Sequence, residues 1–294
     1  MGVVKAPSRV RSRARVAGVL PLLPFFFFTS FFLLWPVVAV TLRSFHGNKN
    51  EWTLANYRPI LKSGPYFHAF VVSIKLSLVT SIIGSLVGAF FAYVIVKYAH
   101  GKFGAVIDSI SAVFANSGGV PLAFMFVAAF GVEGIVTTKL KSLGWDIYAG
   151  HFTIFSFTGV VMVYSFFQIP LMVLVFKPAI AGLRREWEEA STTLGASSLT
   201  YWRRVCIPIL FPPFIGAFFL LFAGGFSAYA TARALTVGTV PLVPIIIGTL
   251  VDGNVISDQE NLGDALAVGM IVVATIAMVG YIWAQRKAAK WRSS

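Results

Sequence analysis

The side chains that most often make and break bonds are few in this chain and poorly placed for it. Cys206 is the single cysteine, and His46, His68, His100 and His151 are dispersed, with no H-E-x-x-H pair. That leaves no internal disulfide, no cysteine-rich metal site and no zinc-hydrolase helix. No G-x-x-x-x-G-K-[ST] phosphate loop occurs either, so any nucleotide chemistry belongs to another protein. The dense polar stretch is residues 182–205, which includes Arg184-Arg185-Glu186-Trp187-Glu188-Glu189-Ala190-Ser191-Thr192-Thr193-Leu194-Gly195-Ala196-Ser197. Its residues suit gripping, not catalysis. Glu186 to Leu194 can form a short helix whose acids sit at the favourable N-terminal end of its dipole. Gly195 can end that helix by taking a positive φ, and a second short helix, Ser198 to Val205, would begin from a serine cap. Small residues at Ala190, Ser191, Gly195, Ala196 and Ser197 would let another backbone approach, with Leu194, Tyr201 and Trp202 as apolar anchors. By composition alone the segment also suits a loop resting on lipid headgroups through Trp187, Tyr201 and Trp202.

The elements that position this stretch are set by hydropathy. Of the 294 residues, 57% are hydrophobic and 12% charged, more apolar surface than a soluble domain of this length can hide. Uncharged runs at Val16 to Leu42, Leu76 to Val96, Ser109 to Val132, Ile147 to Phe176, Val205 to Ala232, Ala234 to Val251 and Ala265 to Gln285 each reach the roughly 18 to 20 residues of a membrane helix. They lack period-two alternation, which favours helices over barrel strands. The run from Ala234 to Val251 is punctuated by Gly238, Pro241, Pro244 and Gly248 and is rejected as a crossing.

Six crossings place both termini on one side, and basic flanks make that side cytoplasmic: Lys5, Arg9, Arg11, Arg13 and Arg15 before the first run, Arg286, Lys287, Lys290 and Arg292 after the last. The expectation is an all-α membrane protein of six transmembrane helices: a basic tail at 1–16, a transmembrane domain at 17–285 containing the inward loop 182–205, and a tail at 286–294. The net charge of +13 then reports topology and not nucleic acid, for which no basic soluble domain exists. Helix two is expected at Tyr66 to Tyr98, helix three at Ala105 to Gly131, helix four at His151 to Ile180 with a kink at Pro170, and helix five from Cys206. A short surface helix is expected within Ile135 to Leu140.

Charged and polar residues inside spans invite functional readings. Lys75, in the outer half of helix two, either faces a passage or snorkels outward. Asp108 is expected to pair with Lys102 or to favour the start of helix three, with substrate contact as the alternative. Asn116, Ser117, Gly118, Gly119 and Pro121 form a polar, poorly helical patch in helix three, and Gln168 lies at similar depth before Pro170. Such a patch is tolerated against protein or a wet cavity. It suits a passage lined by Asn116, Ser117 and Gln168, or close helix packing through Gly118 and Gly119.

Glu189-Ala190, Leu194-Gly195-Ala196-Ser197, Trp202, Val205 and Ile207-Pro208 together resemble the "EAA" loop of binding-protein-dependent ABC importer permeases. The single copy, its place between the fourth and fifth of six spans, and the segment Trp52-Thr53-Leu54-Ala55-Asn56-Tyr57 before helix two extend the resemblance to type I permeases along nearly the whole chain. Ser191 departs from the pattern, standing where a second alanine is common. The resemblance implies the type I importer permease fold. It also implies a non-catalytic subunit that pairs with a second, related or identical permease and docks through Glu188, Glu189, Ala190, Ser191, Leu194, Gly195, Ala196, Ser197 and Trp202 on two ATPase subunits.

Those ATPases would bind ATP and Mg, with no cofactor in this chain. A soluble or lipid-anchored binding protein would deliver the solute, and the bilayer would be a bacterial inner membrane. Leu194, where sugar permeases usually carry Asp, resembles the polyamine, phosphonate, ferric-ion and oxyanion branch. A sugar permease of the same family and an ion-gradient-driven carrier are the alternatives. The carrier would need titratable groups at mid-membrane or inverted halves, and neither is evident.

Overall fold

A computed structural model describes residues 22–47, 51–62, 64–99, 101–150, 152–236, 238–251 and 260–292. The expected tail at 1–16, His100, His151, most of the excursion before Asp264 and the last two residues lie outside these. Six helical stretches are long and apolar enough to cross a membrane: Leu23–Ser44, Pro65–Tyr98, Val120–Ser142, Phe157–Ala181, Ser198–Ser227 and Asn261–Lys287. The chain is therefore a multi-pass, all-helical membrane protein. Ala234 to Val251 is not among the six. It holds a turn at Gly238, with φ of 90°, and the short helix Val243–Val251.

We label the helices α1 (Leu23–Ser44), α2 (Pro65–Tyr98), α3 (Gly101–Asn116), α4 (Val120–Phe130), α5 (Ile135–Ser142), α6 (Phe157–Ala181), α7 (Arg185–Thr193), α8 (Ser198–Ser227), α9 (Ala230–Thr236), α10 (Val243–Val251) and α11 (Glu260–Arg292). The central pair is α2 and α6. Along one face α2 carries Ser73, Ser77, Thr80, Ser81, Gly84, Ser85, Gly88 and Ala92, all buried. Between helices in lipid there is no hydrophobic gain, so close backbone approach through small residues is what packs them.

The hydroxyls in this stripe turn back on their own helix. Ser77 Oγ donates to the Ser73 carbonyl at 2.8 Å and Ser81 Oγ to that of Ser77 at 2.5 Å, so the buried donors are satisfied. The two helices run in the same direction, with Gly84 against Gln168 and, one turn on, Gly88 against Met172. On the other side α8 joins through Gly225, against Gln168, and α11 packs on α8 where Gly280 meets Phe219. α1 is the peripheral helix. Before Ser44 at its end none of its residues is buried, and Arg43 Nε reaches Asp264 Oδ2 of α11 at 3.2 Å.

Three expectations are corrected. The single third helix, Ala105 to Gly131, is divided into α3 and α4, because Gly119 adopts φ of 100° and Pro121 in the next turn has no N–H to continue the ladder. Helix four begins at Phe157, not His151; Ser156 caps it, and the Ser156 N–H closes a turn on the Thr153 carbonyl at 3.0 Å. The short helix expected at Ser198 to Val205 does not end before the next span. It continues as α8 through a π-helical stretch at Trp202–Cys206, just before Pro208, whose missing N–H unsettles the regular ladder.

The segment before α2 shows why its residue types are needed. Asn56 Nδ2 donates to the carbonyls of Ser44 and His46, each at 2.9 Å, and Tyr57 shares a 2.7 Å hydrogen bond with Ser44. Trp52 pairs with His46 in an isolated bridge. Together these fasten the chain reversal between α1 and α2.

Candidate functional site

The loop between α6 and α8 is a rigid knob. α7 carries Glu186 and Glu188 in its first turn, where its dipole favours them, and Arg185 Nε reaches Glu189 Oε1 one turn on at 3.3 Å. Gly195, with φ of 75°, ends it. The Ala196 N–H donates to the Ser191 carbonyl and the Gly195 N–H to that of Thr192, which is the double closure of a Schellman turn. Ser197 Oγ then accepts from the Thr200 N–H and caps α8. Two opposed helix ends are thus closed within three residues by their own side chains and backbone.

What the knob presents differs from what holds it. Leu194 and Leu199, flanking the turn, are 86% and 78% exposed, and a Cβ built on Gly195 would meet nothing within 4 Å. Glu188, Glu189, Ala190 and Ser197 are exposed, while Ser191 and Ala196 are half-buried. Tyr201 and Trp202, expected as outward anchors, face the bundle. Tyr201 is buried with Ile180, Ala179 and Cys206, and Trp202 meets Tyr93 of α2 edge-to-face at 5.1 Å. Beside them lies an apolar cleft of about 450 Å³ lined by Ala89, Phe90, Tyr93, Phe176, Ile180, Trp202 and Leu210. The knob is therefore locked to the ends of α2 and α6 and exposes two leucines around an unobstructed glycine.

The residues read as a passage lining fall into two environments. Gln168 is fully buried; its Nε2 donates to Thr80 Oγ1 at 3.2 Å and its Oε1 has no partner. Asn116 and Lys75 are exposed, with Asn116 Nδ2 bonded to the Ala112 carbonyl, and Ser117 is half-buried. The structure does not gather the four on one surface of the chain. The break they flank is fastened from elsewhere: the Gly119 N–H donates to Thr231 Oγ1 at 2.7 Å, and that hydroxyl donates to the Gly119 carbonyl at 3.2 Å. Close by in the fold, Tyr164 Oη donates to the Ala228 carbonyl between α8 and α9. Two interrupted helices thus meet, each with its loosened backbone held by a hydroxyl.

Asp108 does not pair with Lys102. Its two carboxylate oxygens lie 2.6 and 2.5 Å from Lys177 Nζ of α6, where both side chains are partly buried. An unpaired charge costs about 2.5–3.5 kcal/mol at the centre of a membrane helix. That is ample to hold the two together where the ends of the helices offer partial escape. Lys177, Tyr93 and Thr231 were not singled out in the sequence. Lys177 had a signal, as a cation following the long apolar run to Phe176 and preceding the basic loop by a helical turn and a half; the other two carry none without the fold. Among the described residues no group of three or more His, Cys, Asp and Glu side chains could hold a metal ion.

No known family profile matches the chain. Curated relatives do. It is 26% identical over 208 residues to a probable sulfate transport system permease protein cysT of Helicosporidium sp. subsp. Simulium jonesii, covering 70% of this chain and 72% of that protein. It is 25% identical over 231 residues to the molybdenum transport system permease protein ModB of Escherichia coli (strain K12), covering 77% and 96%. Among solved structures, a bacterial ABC transporter that imports the acidic polysaccharide alginate contains a chain with a TM-score of 0.69 at 16% identity, covering 96% of this chain and 99% of that one. The alginate transporter in complex with its pentasaccharide-bound periplasmic protein gives 0.73 at 15%, covering 97% and 98%.

Proposed function

We propose that this chain, which has the type I ABC importer permease fold and sequence relatives among importer permeases, forms a solute passage with a second permease and is driven through its α6–α8 loop by a separate ATPase pair. The observation that carries the reading is the loop itself: a closed Schellman turn at Gly195 presents Leu194 and Leu199 to solvent beside a glycine with open space around it. A motor that pushes on a membrane protein needs a stiff, shape-specific contact, and apolar side chains around a close backbone approach supply one.

In this reading the loop and both termini face the cytoplasm of a bacterial inner membrane, and the ATPases bind ATP and Mg. A binding protein delivers solute to the opposite face. The passage takes in the exposed Lys75 and Asn116 and the half-buried Ser117, and gathers them with Gln168 only when α2, α6 and α8 part.

The solute is a small oxyanion. Support comes from the sulfate and molybdenum relatives, and from Leu194 standing where sugar permeases carry Asp. The test is uptake into vesicles holding the chain with its ATPases and binding protein, using radiolabelled sulfate, molybdate and putrescine. ATP-dependent uptake of an oxyanion is expected, reduced in Asn116→Leu. Uptake of putrescine alone would overturn the solute assignment, and uptake without ATP would overturn the importer reading.

A further inference from the structure

Resting on the proposed coupling role of the α6–α8 loop, we infer that the Asp108–Lys177 ion pair is the tether that passes movement of that loop to α3 and so to the break at Ser117–Gly119. The end of α6 is gripped on one face by Tyr201 of the loop and the start of α8: Phe176, Ala179 and Ile180 share a buried cluster with Tyr201, Cys206 and Leu210. Lys177 lies within that same turn and holds Asp108 through both carboxylate oxygens. Displacement of the knob therefore moves the group that holds α3.

α3 packs along α6, and the ion pair is the charged link between them. Only Gly104 and Ser111 of its sixteen residues are buried, and Phe103, Val106, Ile110 and Val113 face outward. Beyond the ion pair, Phe114 makes a ring contact with Phe166, also on α6. The helix is thus joined to α6 by a polar clasp at its middle and an aromatic contact near its far end.

The far end of α3 is the break, and Thr231 holds the last residue of that break, Gly119, to α9. A pull on Asp108 meets a fixed point at Gly119, and the two residues that absorb the difference are Ser117 and Gly118. Gly118 has nothing within 4 Å of the position of a Cβ, so it can swing without collision. Pushing the knob would therefore re-aim Asn116 and Ser117. On this proposal the Ser117–Gly118 joint is the two-state element that physical coupling between distant sites requires.

The test uses the complete transporter, with ATPases and binding protein, in vesicles. Asn116→Cys in a Cys206→Ala background reports the break through its labelling rate by a water-soluble maleimide, with and without ATP and vanadate. In the parent an ATP-dependent change in labelling is expected. Asp108→Asn and Lys177→Met should each shrink that change by about tenfold, corresponding to about 1.4 kcal/mol of coupling. The exchanged pair Asp108→Lys with Lys177→Asp should restore it.

Single variants that keep the full change overturn the tether. If the single variants fail to assemble, the exchanged pair decides alone: assembled and responsive supports the tether, whereas assembled and unresponsive, or unassembled, overturns it. A parent protein that co-assembles with no ATPase would remove the coupling reading itself, before any variant is compared.

Discussion

A methyl group on Gly88 would lie 2.5 Å from the Cβ of Met172, so α2 and α6 touch there with no room for a side chain between them. The same closeness recurs one turn earlier, where a Cβ on Gly84 would lie 2.9 Å from that of Gln168. Gly88→Leu should destabilise the bundle by at least about 1–3 kcal/mol, the usual cost of overpacking. Thermal denaturation in detergent, followed by size-exclusion chromatography, checks it. Adding Met172→Ala should not rescue Gly88→Ala, since it removes Met172 Cγ at 2.9 Å but leaves Met172 Cβ at 2.5 Å and the Ile169 carbonyl at 2.7 Å from the new methyl.

The Gly195 turn separates backbone need from docking space. Gly195→Val places a β-branched residue at φ of 75° and should distort the turn by strain alone, because no atom of this chain is near enough to clash. Gly195→Asn tolerates that conformation and keeps the turn, but fills the open space. Both variants should insert, and both should lose uptake per ATP hydrolysed. If Gly195→Asn transports at the parental ratio, the space around the glycine is not a docking surface.

Tyr93 and Trp202 bind the knob to α2. Tyr93→Ala removes an edge-to-face pair worth about 0.5–1.5 kcal/mol and opens one wall of the apolar cleft. Trypsin should then cut at Arg184, Arg185 or Arg203 about two- to tenfold faster, with the rest of the chain protected as before. Equal cutting rates would mean that the knob is held by the Tyr201 cluster alone.

Asn56 closes two carbonyls at the end of α1. Asn56→Leu leaves both without this donor and should cost about 1–3 kcal/mol, read as a lowered melting temperature in detergent. An unchanged melting temperature would show that the chain reversal is held by Tyr57 and the Trp52 bridge instead.

The spans were legible in the sequence because crossing lipid demands long uncharged runs, and α2 matches the helix expected at Tyr66 to Tyr98 to within a residue at each end. The knob was legible for a local reason: a helix stopped by a glycine and restarted by a serine is written in consecutive residues. Its outcome differs in orientation, since Tyr201 and Trp202 turn inward while Leu194 and Leu199 turn out. Aromatic type says only that a side chain seeks partial burial, and which surface supplies it depends on Tyr93, more than a hundred residues away.

Asp108 illustrates the same limit. Lys102 is a nearer candidate by sequence, yet a helix begun at Gly101 points the carboxylate across to α6, where Lys177 waits. The polar patch at Asn116 to Gly119 marked a loosened helix correctly in kind. That the helix breaks fully there, and that Thr231 holds the break, follows only from tertiary packing.

The claim on which the rest depends is that the knob docks on a motor. Photo-crosslinking from Leu194, compared with Leu143, which is 70% exposed at the opposite end of the bundle, tests it in native membranes. The account predicts a crosslink from Leu194 to a subunit that hydrolyses ATP when isolated, and none from Leu143 to that subunit. A crosslink to the hydrolase from Leu143 only, or crosslinks from Leu194 to lipid alone, would contradict it.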